Sequence, residues 1–287
     1  PFEGKAPMCG IVGIFLKAPA PEPELGRLPA AMLATMSDRG PDSAGFAVYG
    51  PGKGDSAKFT LRGKSPSAVA AVVERIKSAF AGTTADHHDT HVVVSVPAAE
   101  ADGFVAWLAD EAPEIDVVGR GHRMELYKEV GLPETVADRF GLAAMQGTHA
   151  IGHTRMATES AVTTDGAHPY STGADQCLVH NGSLSNHNNM RRVLRREGFA
   201  FETENDTEVA AAYLSWKMRE GRSLGEALED SLSDLDGFYT FVVGTENGFG
   251  VLRDGIACKP AVMAETDQYV AFGSEYRALA VLPGIDK

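Results

Sequence analysis

Cysteine is scarce in this 287-residue chain: Cys9, Cys177 and Cys258 are odd in number and widely spaced. They make neither a disulfide framework nor a zinc-ligand pattern, which fits a reducing, cytoplasmic compartment. Positive charge is also short. Twenty-six Lys and Arg face 39 Asp and Glu, a net charge of −13. That removes the basic footprint needed for nucleic acid and for an anionic membrane surface. No apolar run reaches the length of a spanning helix. Ala18-Pro19-Ala20-Pro21-Glu22-Pro23 interrupts any signal-peptide core near the start. No Gly-x-Gly-x-x-Gly or phosphate loop follows a strand as a nucleotide site requires. What remains is an ordinary globular composition, 44% hydrophobic and 23% charged, long enough for one large or two moderate domains.

The most informative segment is Met8-Cys9-Gly10-Ile11-Val12-Gly13-Ile14-Phe15. Alone, Cys9 reads as a small buried residue at a strand start. Loss of everything through Met8 would instead expose a thiol nucleophile and, in the same residue, an α-amine that is weakly basic near neutral pH. Residues 1–7 stand in front as a leader, a propeptide or a cloning remnant, and while they remain the amine is an amide.

The strand Gly10 to Leu16 is apolar on both faces and is expected in the middle of a sheet. A helix is expected near Leu28 to Met36, then the turn Asp38-Arg39-Gly40-Pro41-Asp42 and the strand Ala44 to Tyr49. The texture changes over 63–146, read as an α/β insertion: a helical stripe (Val69, Val72, Val73, Ile76, Phe80), the strand His91 to Val96, a helix over Ala98 to Ala109, and strands at Glu114 to Val118 and Met124 to Lys128. Asp86-His87-His88-Asp89-Thr90-His91 offers metal-ligating residue types. No partner ligands recur at metal-site spacing, so a polar loop entering a strand accounts for it and no metal is expected. Short strands are expected at Ala150 to His153 and Cys177 to His180, with helices at Met190 to Glu197 and Glu208 to Arg219. Antiparallel strands at Tyr239 to Gly244, Gly248 to Arg253, Ala261 to Ala264 and Tyr269 to Gly273 follow. This order fits a layered α+β protein rather than a doubly wound sheet.

Five segments carry chemistry: Cys9-Gly10-Ile11-Val12-Gly13, Arg39-Gly40-Pro41-Asp42-Ser43, Gly152-His153-Thr154-Arg155-Met156-Ala157-Thr158, His180-Asn181-Gly182, and Asn205-Asp206-Thr207-Glu208. In this order, with Arg253-Asp254-Gly255, Lys259-Pro260 and Phe272-Gly273-Ser274-Glu275, the chain resembles the class II glutamine amidotransferases, which are N-terminal-nucleophile (Ntn) hydrolases. The resemblance runs from about Met8 to Leu282, the insertion excepted. It implies a four-layer αββα sandwich, with 8–62 and 147–287 as core and 63–146 inserted into a single domain.

Amide hydrolysis needs a nucleophile, a base, oxyanion donors and recognition of the rest of the substrate. The resemblance implies Cys9 for the first two and Asn181 with Gly182 for the oxyanion, as an amide side chain and a backbone N–H following a strand end. Alone, Asn-Gly reads as a tight turn. Arg155, with Thr158 nearby, is implied for the α-carboxylate of L-glutamine, which its planar fork suits. Asp206 is implied for the α-ammonium, and it also reads as the N-cap of the helix that follows. Arg39 is a supporting group beside the nucleophile and His168 a scaffold group, while Cys177 and Cys258 read as structural. Met156 and Glu159 depart from the Trp and His that simpler members often carry. The wording of 152–164 looks closest to the free-standing amidotransferase subunit of N-methylglutamate synthase and glutamate-synthase-like assemblies. This implies a hetero-oligomer: a flavoprotein synthase subunit as partner, with FMN and an iron–sulfur cluster there, no cofactor in this chain, and a possible further subunit. A stand-alone Ntn amidase and a non-catalytic structural or gating subunit of the same complex, with an unprocessed, blocked Cys9, are the competing readings.

Overall fold

The computed structural model describes residues 8–18, 22–52, 54–157 and 161–285. Its largest sheet has the order β13 (Val262–Glu265), β14 (Tyr269–Gly273), β1 (Gly10–Leu16), β8 (His149–Arg155), β2 (Ser43–Tyr49), β7 (Met124–Val130). A second sheet runs β12 (Gly248–Arg253), β11 (Gly237–Thr245), β10 (Gln176–Leu184), β9 (Tyr170–Gly173). As its apolar sequence implies, β1 is central, paired antiparallel to β14 and β8.

Burial assigns the layers. Val12, Ile14 and Leu16 point to a core with Met32, Leu33, Phe140 and Leu279, contributed by α1 (Arg27–Ala34), α4 (Pro133–Phe140) and α8 (Tyr276–Leu279). Ile11 faces the other way, into a seam with Ile151, Val179, Val242 and Phe272 that joins the two sheets. The second sheet's outer face is covered by α5 (His187–Arg196), α6 (Asp206–Arg219) and α7 (Leu224–Asp234) around Leu178, Leu194, Tyr213 and Phe241. Helix, sheet, sheet, helix: this is the αββα sandwich, with alternating strand residues feeding two cores at once.

The third sheet has the order β4 (Thr84–His88), β5 (His91–Pro97), β3 (Ser56–Arg62), β6 (Asp116–Gly121). With α2 (Pro66–Ala79) and α3 (Ala101–Glu111) it forms a βαββαβ module of the split-βαβ type. Phe59, Leu61, Val92, Val94 and Val96 pack against these helices. The opposite face docks on the core: Val93 joins the cluster of Phe46 and Tyr127, and the Lys58 ammonium lies 2.7 Å from Glu125.

The module's boundaries differ from those expected from sequence. It begins at Ser56 rather than residue 63 and its sheet ends at Gly121, because β7 returns to the large sheet by pairing with β2. Asp86 to His91 forms the β4–β5 hairpin, and His91 is buried against Phe140, ring centroids 4.6 Å apart. Among the described residues no helix is long and apolar enough to cross a membrane, and no group of three or more His, Cys, Asp or Glu could hold a metal.

Candidate active site

Strand pairing brings the distant motifs together. Gly10 lies opposite Thr154 on β8, so Cys9 sits next to the end of that strand, where Arg155 closes it. Ser43 of β2 lies opposite Arg155 on the other side, which fixes the 39–43 loop beside both. Gly40 lets this loop approach closely, since a Cβ there would come within 2.6 Å of the Thr154 carbonyl carbon. The loop then binds in both directions: Asp42 Oδ2 accepts from the Ala157 N–H at 2.8 Å, and Arg39 Nε donates to the Cys9 carbonyl at 3.1 Å. Arg39 also pairs with Glu275 within the Phe272-Gly273-Ser274-Glu275 segment. Ser274 Oγ accepts from the Ile11 N–H at 2.9 Å. The backbone around Cys9 is therefore held from three segments.

Asn181 reaches the same point from the second sheet, donating from Nδ2 to the Cys9 carbonyl at 3.0 Å. An amide nitrogen has two N–H groups, so one remains for another acceptor. The expectation that Asn181-Gly182 follows a strand end is corrected. Strand β10 continues through both, which lie opposite Thr240 and Tyr239. The reason is the backbone of Gly182, whose φ of +150° is open to glycine and lets the strand pass without breaking its pairing. A Cβ there would overlap the Phe238 carbonyl oxygen.

Asp206 is also corrected in one respect. The N-cap of α6 is Asn205, whose side chain accepts from the Thr207 N–H, and Asp206 is the first helical residue. Its carboxylate accepts from the Leu184 N–H at 2.9 Å and lies 3.7 Å from His180 Nδ1. Burial pushes this carboxyl up, but His180 and the Leu184 amide outweigh it and hold the group at about 2. Asp206 is thus a carboxylate throughout the neutral range. Burial raises the Cys9 thiol, partly offset by the Met156 backbone and by the positive charges of Arg155 and Lys259. The thiol needs a base to become a nucleophile.

A cavity of about 600 Å³ joins these groups, lined by Cys9, Arg155, Asn181, Gly182, Asp206 and Lys259, among others. Arg155 is buried and reaches the Ala161 carbonyl at 3.4 Å. His168 lines the wall but faces inward, with Nε2 at 3.1 Å from Thr207 Oγ1 and its ring centroid 4.0 Å from that of His153. Burial carries it well below the usual histidine value, as a scaffold group requires. Thr158 and Glu159 lie outside the described residues. The sequence reading missed Lys259 and Thr207. Thr207 also binds His180 Nδ1, at 3.0 Å, so it links both imidazoles behind the pocket. Both residues stand inside the motifs quoted above, which was the available signal.

Comparison with known proteins agrees with this geometry. Residues 153–281 match the glutamine amidotransferase domain family. The chain is 60% identical over 280 residues to the glutamine amidotransferase-like protein GlxB of Rhizobium meliloti, covering 97% of this chain and 93% of that one. The chain belongs to the glutamine amidotransferase family. A second relative, from Methanothermobacter thermautotrophicus, is 35% identical over 288 residues, covering 93% and 92% of the two chains. Among solved structures, glutamine phosphoribosylpyrophosphate amidotransferase from B. subtilis superposes with a TM-score of 0.60 at 21% identity. The match covers 95% of this chain and 43% of that one, so this amidotransferase spans less than half of its structural neighbour. The shared fold is that of the Ntn-type, class II amidotransferases.

Proposed function

We propose that this amidotransferase hydrolyses the side-chain amide of L-glutamine at Cys9 and passes the ammonia to a separate synthase subunit. The observation that carries the first half is the convergence, on one cavity, of a thiol, an amide donor beside a glycine N–H, a buried arginine and a carboxylate held ionised. The two charged groups match the α-carboxylate and α-ammonium of a free amino acid, which a general amidase pocket has no need of.

In this reading Cys9 Sγ attacks the glutamine δ-carbon while its proton passes to the α-amine of the same residue. Asn181 Nδ2 and the Gly182 N–H stabilise the oxyanion, Arg155 and Thr158 hold the carboxylate, and Asp206 holds the ammonium. The protonated amine then gives its proton to the departing ammonia, and water, deprotonated by the same amine, cleaves the thioester. Arg39 keeps the Cys9 carbonyl in place, and His168 supports the wall. The wording of 152–164 supports a finer assignment: an amidotransferase subunit of a glutamate-synthase-like or N-methylglutamate synthase complex in the cytoplasm, with FMN and an iron–sulfur cluster in the flavoprotein partner.

One observation favours a second reading. In this chain the Cys9 nitrogen is an amide to Met8, and Met8 lines the cavity beside Cys9. An amide nitrogen has no available lone pair, so a chain retaining Met8 would be latent or serve a gating role. Chains beginning at Cys9 and at Pro1 should therefore differ in glutamate release, with the first active and the second nearly silent. Equal rates would remove the amine as base, and a different group would have to replace it.

A further inference from the structure

The loop 161–169 forms one wall of the cavity through Ala161, Thr163, Asp165, Gly166 and His168. It also touches Arg155: Ala161 O accepts from Arg155 Nη1, and a Cβ on Gly166 would come within 3.1 Å of that same nitrogen. The loop is held from the inserted module and its docking strand as well as from Arg155 at the end of β8. Arg62, the last residue of β3 in the inserted module, reaches out with a side chain only 13% exposed. It donates to Asp116 Oδ2 of its own module from Nε at 3.0 Å and from Nη2 at 2.5 Å, and Nη2 also bonds Asp165 in the loop. Lys128, in β7 where the module docks, is buried with Nζ donating to the Asp165 carbonyl at 3.2 Å and the Ala167 carbonyl at 3.0 Å. The Tyr170 ring covers the ammonium at 4.5 Å, and the Tyr170 hydroxyl donates to the Asp165 carbonyl at 3.1 Å. With two carbonyls and a π face, Lys128 is fully engaged in tying down backbone.

We propose that Arg62 and Lys128 are positioning residues for the amino-acid head group. Through Asp165 and Ala167 they hold the 161–169 loop against Arg155, so the inserted βαββαβ module sets the affinity for glutamine without touching it. This inference rests on the proposed glutaminase activity and deepens it. It gives the module a task, since Arg62 spans from its sheet to the pocket wall. A desolvated cation costs stability unless well paired, yet two are placed under one loop. Their burial is consistent with a requirement for a fixed wall: a displacement of about 1 Å at a reacting or binding group can cost up to a hundredfold.

The test is steady-state glutamate release, with L-glutamate binding measured by calorimetry, in the complete chain with a free Cys9. Arg62→Met and Lys128→Met should each raise KM about tenfold and leave kcat within about twofold, because the chemistry at Cys9 is untouched. Arg62→Lys, which keeps the charge, should recover part of the loss. Asp165→Asn should mimic Arg62→Met, and the double variant should be no worse than either single one, as expected for partners in one bond. Additive losses, or variants with lowered melting temperature and unchanged KM, would overturn the inference while leaving the glutaminase reading intact. A wild-type chain that neither turns over glutamine nor binds glutamate would overturn the glutaminase reading, and this inference with it.

Discussion

Acid should destabilise this protein well before its carboxylates titrate, and the structure says by how much. His91, His149 and His153 are buried and neutral. Burial lowers them to about 3, about 4 and about 3, against an ordinary value of 6.5. In His149 burial outweighs the Thr245 carbonyl, which lies 2.8 Å from Nε2 and favours the charged ring, and the positive charge of nearby Arg123 adds to the lowering. The folded-state values are depressed, so between pH 6.5 and 4 the unfolded chain binds protons that the folded one refuses. Stability is therefore complete above 6.5 and falls as pH drops toward the folded values. Each group costs about 1.4 kcal/mol per pH unit, so going from pH 6.5 to 5 removes about 2 kcal/mol per histidine and about 6 kcal/mol for the three. That is comparable to the ~5–15 kcal/mol by which domains are stable. His168, buried and carried well below its ordinary value in the same way, adds a fourth proton, so urea unfolding at half-unit steps from pH 7.5 to 4.5 should show a slope that approaches four protons near pH 5. His149→Gln should remove one of them. A stability that stays flat between pH 6.5 and 5 would refute the burial argument.

Further consequences concern the site. Arg155→Lys keeps the charge and loses the planar fork, so it should raise KM for glutamine by about tenfold or more with little change in circular dichroism; an unchanged KM would remove Arg155 from the head group. Gly182→Ala forces a side chain into a φ of +150° and onto the Phe238 carbonyl. It should cost more than about 2 kcal/mol in urea unfolding and abolish turnover, and near wild-type stability would show that the strand needs no glycine there.

The parts of the fold that sequence revealed are those whose burial follows a simple period. Strands β1, β12 and β14 occupy the spans that their apolar patterns indicated, and the αββα layering follows the family resemblance. Strand β3 was missed although Ala57, Phe59 and Leu61 alternate with Lys58, Thr60 and Arg62 at the period of a half-buried strand; what the pattern does not reveal is that the polar residues face the docked core, where Thr60 Oγ1 accepts from the Leu126 N–H at 3.2 Å. Helix α7 was also overlooked although its signal was present, since Ser223 and Glu226 form a reciprocal capping box. Asn205 and Asp206 are both good cap residues, and only the structure separates them by showing which side chain turns back to the helix. Motif order singled out Cys9, Arg155 and Asp206, and the three line one cavity. The loop-holding role of Lys128 was not legible, because it depends on carbonyls 37 and 39 residues away that pattern alone cannot place.

The central claim is that Cys9 is the thiol that attacks glutamine in a pocket shaped for its head group. Intact-mass and peptide mass spectrometry, after exposure of the chain beginning at Cys9 to a diazoketone analogue of glutamine, test it most directly. The account predicts one adduct per chain, on Cys9, slowed by excess L-glutamine and absent from Cys9→Ala. Exposed Cys258 and buried Cys177 should remain unmodified. An adduct on Cys258, or labelling of Cys9 that L-glutamine does not slow, would contradict it.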